Sequence, residues 1–155
     1  LTSAPVSIGS KFKLEIRNSK ECYIYVFGKE TDGKAYTLFP YPRKEDPSKT
    51  KYSPFCGITG YRMFPKDKSM TPDNIGQRDM IAVVITAEEL DWYGIQNRIN
   101  ALPAAQAFES KLEAALSKSR PAGLSMNSSS KGNIQFNTLL QPGQAVWCFV
   151  ELDKK

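Results

Sequence analysis

Histidine is absent from this chain of 155 residues, so any chemistry must come from carboxylates, thiols, amines or hydroxyls. That removes Ser-His-Asp and Cys-His nucleophilic systems, the imidazole of most catalytic zinc sites and the commonest general base near neutral pH. Three acidic pairs remain: Glu45/Asp46, Glu88/Glu89 and Asp73/Asp79. Adjacent residues diverge on strands and helices alike, which disqualifies the first two as paired catalytic carboxylates. Glu88 and Glu89 suit the first turn of a helix instead, where the macrodipole favours negative charge. Asp73 and Asp79 flank Gly76 and could close on a calcium ion with backbone carbonyls, although the spacing matches no EF-hand loop. Cys22, Cys56 and Cys148 form no CxxC pair. Their odd number argues against a disulfide framework and for small buried apolar groups, with a single bridge left open. No catalytic residue, metal site or cofactor is expected, and the chain is expected not to be an enzyme.

Residues 40–58 offer binding chemistry instead. Tyr41, Arg43, Lys44, Lys49, Lys51, Tyr52 and Phe55 interleave aromatics with cations. Tyr and Arg are enriched where protein interfaces hold hardest, and loops longer than about 12–15 residues are usually functional or mobile. The plainer role for Tyr41, Tyr52 and Phe55 is to pin the loop to the body while the lysines stay solvated. A protein partner is the expected ligand. Polyanion binding is the alternative, because Arg43 to Lys68 carries seven basic residues against three acidic ones and could follow a phosphate backbone while its aromatics stack bases. Glu45, Asp46 and Asp67 interrupt that stretch, and no RRM or KH signature occurs.

The net charge of +5 is uneven: residues 1–70 hold 13 Lys and Arg against 7 Asp and Glu, whereas residues 71–117 hold 3 against 7. Such asymmetry can draw a polyanion to one face. No apolar run approaches the roughly eighteen residues of a membrane-spanning helix. Leu1–Pro5 lacks the charged start and apolar run of a signal peptide; the chain is read as a mature form or a piece excised from a longer one, and the absent signal says little about compartment.

The elements that must position these residues follow from periodicity. Lys11–Arg17 alternates apolar and charged residues, the pattern of a strand with one wet face. Cys22–Phe27, Asp79–Thr86 and Ala145–Val150 are apolar on both faces and read as central strands covered on two sides. Asp32-Gly33 predicts a hairpin into Ala35–Phe39, which would place Tyr23 or Tyr25 across from Tyr36 or Phe39. Pro40, Pro42, Pro47 and Pro54 are expected to prevent regular structure. Ile58–Pro65 and Asn133–Leu140 supply two further strands, and in the latter Ile134, Phe136 and Leu140 share a face. Thr86 and Glu89 have capping-box spacing, predicting a helix from there that breaks near Gly94. A second helix starts near Pro103, with Ala105, Phe108, Leu112, Ala115 and Leu116 on its apolar stripe and Lys111 outside it. Residues 118–132 read as a flexible polar linker.

These features in order resemble the domain-of-unknown-function 4384 family of bacterial proteins: Phe12–Arg17, then Tyr23–Phe27, Asp32-Gly33, Leu38-Phe39-Pro40, a strand ending in Pro65, Gly76, Asp79 and Ile81–Ile85. The Leu-Phe-Pro after an Asp-Gly hairpin is the most specific part, and the resemblance covers roughly residues 11–90. It departs in the long loop, where the family often has Asn and Gly, and it does not reach the helices or the last two strands. The resemblance implies a small sandwich-like accessory domain, often joined to caspase-like peptidases, protein kinases or repeat segments; many members belong to exported or envelope-associated proteins, so the expected compartment is periplasmic or extracellular. It carries no catalytic residue over. The expectation is one mainly β domain over residues 1–155: an antiparallel, Ig-like β-sandwich of about seven strands, with a helical insertion at 87–117 packed on one sheet. Its expected role is a non-catalytic interaction or scaffold module.

Overall fold

The doubly apolar segments become strands of one antiparallel sheet, with helices against one face and short ribbons against the other. The computed structural model describes residues 6–58, 62–128 and 134–155. Among these are strands β1 (Leu14–Ile16), β2 (Cys22–Lys29), β3 (Ala35–Phe39), β4 (Phe55–Cys56), β5 (Arg62–Phe64) and β6 (Arg78–Thr86). Helices α1 (Trp92–Ala101) and α2 (Phe108–Leu116) follow, then β7 (Ser125–Ser128), β8 (Ile134–Asn137) and β9 (Ala145–Asp153). The main sheet runs β3-β2-β6-β9, and β4 pairs with the end of β2 that β3 leaves open. Two antiparallel ribbons, β1 with β5 and β7 with β8, stand apart from it.

Strand alternation sorts the side chains. Tyr25, Phe27, Ala82, Val84 and Trp147 meet Trp92, Ile95 and Ile99 of α1 and Phe108, Leu112 and Leu116 of α2. Cys22, Ile24, Val26, Ile81, Val83, Ile85 and Cys148 face the other way, against Phe12, Leu14, Ile16, Phe64 and Met126. Fully burying one such aliphatic or aromatic side chain contributes about 1.5–3 kcal/mol, so both layers are needed. The mainly β, antiparallel, sandwich-like architecture with a helical insertion on one face is as expected.

Several local expectations give way to tertiary structure. The expected seven or so strands become nine among the described residues. The two-residue β4 is too short to show a period, and β7 lies inside the polar stretch read as a linker. Pairing with β8 orders β7, and its Met126 packs against the lower core, the layer of Cys22, Ile24 and Val26 on the face opposite the helices. Residues 129–133 of that stretch lie outside the described residues, as do residues 59–61 of the strand expected over Ile58–Pro65; the facing of the Ile134 and Phe136 side chains likewise falls outside. β9 is covered on both faces yet sits at the sheet's edge. Apolar character on both sides reports the layers above and below a strand, not its lateral neighbours.

Thr86 does not cap a helix. It ends β6, and its hydroxyl donates to the Glu88 carbonyl at 2.6 Å. The cap is Asp91, whose carboxylate accepts from the Gly94 N–H at 2.8 Å. Gly94 therefore belongs to the first turn of α1 rather than breaking it, and a Cβ there would fall 1.9 Å from Asp91 Oδ2. Pro103 lies in the turn before α2, which leaves Ala105 exposed. Lys111 is buried rather than wet: its ammonium donates to the Gly33 carbonyl at 3.4 Å, the way a long side chain buries its stem and leads its charge to an acceptor.

Tyr23 faces Phe55 of β4, not Tyr36 or Phe39, and Tyr25 is fully buried. Its hydroxyl accepts from the Leu90 N–H at 2.7 Å, joining the sheet to the approach of α1. Burial pushes that phenol up to about 12. Tyr25→Phe keeps the ring and strands the Leu90 N–H away from water, which is expected to cost about 1.5 kcal/mol. Urea denaturation checks this; an unchanged midpoint would show that the amide finds another partner.

Candidate functional site

The loop after β3 transfers the chain along one edge of β2. Phe39 and Pro40 are buried, and the Phe39 ring meets Phe64 edge-on at 4.5 Å. The chain returns at β4, beside the half of β2 that β3 does not use. Between these points it folds on itself, contrary to the expectation from its prolines. Pro42 and Thr50 form an antiparallel bridge. The Arg43 N–H donates to the Lys49 carbonyl at 2.8 Å, and the Lys51 N–H to the Tyr41 carbonyl at 2.7 Å. Pro42 has no N–H to offer, but its neighbours carry the pairing.

Asp46 sets the tip. Its carboxylate accepts from the Ser48 hydroxyl at 2.6 Å and the Ser48 N–H at 3.1 Å, an Asx turn, with Lys49 at 3.4 Å. The Ser48 bonds, then Lys49, hold the Asp46 carboxyl below the usual carboxylate range. Asp67 ties the base of the loop to the body, accepting from Lys51 Nζ at 2.5 Å and from the Tyr52 hydroxyl. Those two partners lower the Asp67 carboxyl as well. Lys66 lies 4.6 Å from the centre of the Tyr52 ring, within cation–π range.

The seven loop residues thus divide by role. Arg43 is a strut, its Nε donating to the Thr50 carbonyl at 2.9 Å. Lys49 and Lys51 pair with Asp46 and Asp67. Tyr52 packs half-buried against the lower core and pins the loop. Tyr41, 42 % exposed, and Lys44 face solvent from the hairpin. Phe55, 44 % exposed, sits apart on β4 with its edge against Tyr23 at 5.5 Å.

In each acidic pair at least one carboxylate serves the fold, Asp46 through the loop tip. Glu88 does not sit at a helix N-terminus; its carboxylate accepts from Lys118 Nζ and, at 3.1 Å, from the Gly143 N–H, fastening the segment after α2 and the turn before β9. Asp73 and Asp79 do converge, but on an ammonium: Lys154 Nζ lies 2.6 Å from Asp73 Oδ1, 2.7 Å from Asp79 Oδ1 and 2.8 Å from the Ile75 carbonyl. Among the described residues no group of three or more Cys, Asp or Glu is arranged to hold a metal ion, and no helix is long and apolar enough to cross a membrane. A cleft of about 230 Å³ opens between the β2–β3 turn and residues 104–108; its wall carries both Lys29 and Asp32. Sequence reasoning missed Asp67 and Lys154 as organising residues, since their partners lie 15 or more positions away.

Residues 6–54 match the model of a family described as a domain of unknown function, DUF4384. The matched stretch runs from before β1 to the end of the loop hairpin and includes Tyr41, Arg43, Lys44, Lys49, Lys51 and Tyr52; Phe55 falls just beyond it. No curated protein and no solved structure matches the chain.

Proposed function

From a chain whose residues 6–54 carry the DUF4384 pattern, we propose a non-catalytic interaction or scaffold module that takes a protein partner at the loop following β3. The compartment proposed with it is the bacterial envelope or the extracellular space. One observation carries the reading: the loop is held by its own hydrogen bonds and by Asp67, yet it presents the Tyr41 ring to solvent. An aromatic on a rigid support binds at low entropic cost, because little is left to order on association. In each acidic pair at least one carboxylate is occupied by an internal partner, which lends no support to acid–base catalysis.

Polyanion binding is supported less well by the same geometry. Lys49 and Lys51 face carboxylates, and Arg62 donates to the Gly57 carbonyl at 3.1 Å. Lys44, Lys66 and Lys68 make no ion pair among the described residues, and three lysines are few for phosphate-backbone binding.

The test uses Tyr41→Ala with Lys44→Glu, which leaves the struts Arg43 and Tyr52 in place. With the immobilised domain as bait in bacterial envelope extract, the expected result is at least a tenfold loss of partner capture and a melting temperature within about 1 °C of the parent. Unchanged capture by the double variant moves the contact surface elsewhere. Heparin or oligonucleotide binding at 50 mM salt that collapses by 200 mM would favour the polyanion reading.

A further inference from the structure

The three cysteines are not equivalent, and the ladder between β2 and β4 singles out two of them. Cys22 and Cys56 are direct partners in that antiparallel pairing. The Ile24 N–H donates to the Pro54 carbonyl at 3.0 Å, so the pair two positions along, Cys22 with Cys56, is also a hydrogen-bonded position. Residues facing each other there have Cα atoms about 5.5 Å apart, inside the roughly 4.4–6.8 Å Cα window of a disulfide. Their Cβ atoms lie near the wide end of about 4.5–5.5 Å, beyond the roughly 3.5–4.5 Å that the bond takes; both residues are free thiols in this structure, and joining them draws the two-residue β4 toward β2. Both side chains point into the same lower core. Cys148 shares that face but not that neighbourhood. It faces Val83, which faces Val26, so two strand spacings and four residues separate it from Cys22. That is roughly 16 Å by strand geometry, far beyond a disulfide's reach.

We propose that Cys22 and Cys56 form an intramolecular disulfide when the chain folds in the presence of an oxidising disulfide, and that Cys148 stays a thiol. With glutathione disulfide as oxidant, one cysteine thiolate attacks a glutathione sulfur and releases one glutathione. The second thiolate attacks the mixed disulfide and releases the other. Two protein thiols thereby give up two electrons and two protons, and two glutathione thiols form.

Timing follows from burial. Cys22 is 6 % and Cys56 1 % exposed. Burial lifts the Cys22 thiol to about 11, with Cys56 adding to the rise and Arg62 opposing it; burial raises Cys56 as well. Thiolate, the attacking species, is scarce in the closed state. The bond therefore forms before the two-residue β4 docks, or while it opens locally. Once closed, it staples the base of the 40–54 loop to β2, whatever that loop binds.

The full chain is reduced, unfolded in guanidinium and refolded with reduced and oxidised glutathione, then mapped by non-reducing peptide mass spectrometry. One Cys22–Cys56 linkage is expected in most molecules, with Cys148 alkylated after unfolding. The oxidised form should melt roughly 10 °C above the reduced form. That gap should persist in Cys148→Ala and vanish in Cys56→Ala. Three alkylatable thiols after oxidative refolding, a linkage through Cys148, or equal melting of the two forms would overturn the proposal.

Discussion

Lys154→Met is expected to lower stability by about 3 kcal/mol. The Lys154 side chain is 1 % exposed, and its three ammonium protons have three acceptors: Asp73, Asp79 and the Ile75 carbonyl. Methionine keeps the length and the apolar stem but leaves two carboxylates facing each other across a neutral gap. Removing one member of a buried pair commonly costs 3–5 kcal/mol. The lower end applies here because Asp73 is 58 % and Asp79 37 % exposed, and water can resolvate them. The loss also reaches the chain ends, since Lys154 bridges to Val6 and its N–H donates to the Gln77 carbonyl at 2.9 Å.

The pH dependence of the difference between parent and variant has a definite sign. Burial alone would push Lys154 down, but its bonds to Asp73 and Asp79 outweigh burial and hold it up. A group raised on folding gives its full stabilisation below its unfolded pKa, about 10.4 for lysine, and loses it as pH climbs through the folded value. Asp73 is lowered, chiefly by the bond from Lys154. Its contribution is complete above an unfolded pKa of about 3.9 and fades as pH falls through the folded value. Urea midpoints should therefore differ most across the neutral range and converge at both extremes. A difference that stays constant from pH 3 to pH 11 would show that Lys154 acts through packing alone.

Asn100→Ala is expected to cost about 2 kcal/mol and to open a sheet edge. Asn100 sits on α1, and its amide pairs with Ala35 on the outer edge of β3: the Ala35 N–H donates to Asn100 Oδ1 at 2.7 Å, and Asn100 Nδ2 donates to the Ala35 carbonyl at 3.1 Å. The side chain stands where the peptide group of a further strand would lie. Ala35 is only 4 % exposed, so both of its backbone groups lose their partners in a poorly hydrated place. Thr37 Oγ1 donating to Gln96 Oε1 at 2.6 Å guards the next outward position. An uncovered edge invites pairing with another chain, so the variant should also show concentration-dependent association by sedimentation velocity. Hydrogen exchange at the Ala35 amide offers the sharpest check. Parent-like protection there, with a parent-like midpoint, would mean that Asn100 is a bystander.

Much of the fold was legible because burial on both faces leaves a mark in a strand. Cys22–Phe27, Asp79–Thr86 and Ala145–Val150 announced a covered sheet, and Phe108, Leu112, Ala115 and Leu116 announced a helix that covers it. The Asp32-Gly33 turn was readable because Gly33 adopts φ of +83°, a region that glycine enters without strain. The capping box at Thr86 misled, because a spacing shows that a cap can form, whereas Asp91 five residues later had the backbone position to make one. For the candidate site, sequence located the loop but not the division of labour within it. Nothing local marks Asp67 as the partner of Lys51 and Tyr52, so struts and exposed contacts looked alike.

Sequence by itself determined the chemistry that was open to this protein: no imidazole, adjacent acids whose side chains diverge, and strands that demand cover on both faces. Those properties belong to residue types and their periodicity, which act over a few positions. Tertiary structure alone decided which charges were neutralised. Lys154 fills the gap between Asp73 and Asp79 from 81 and 75 positions away, and Asn100 closes the edge at Ala35 from 65. A hydrogen bond or ion pair depends on atoms meeting within about 3 Å in a place shielded from water, and the course of the whole chain sets that meeting.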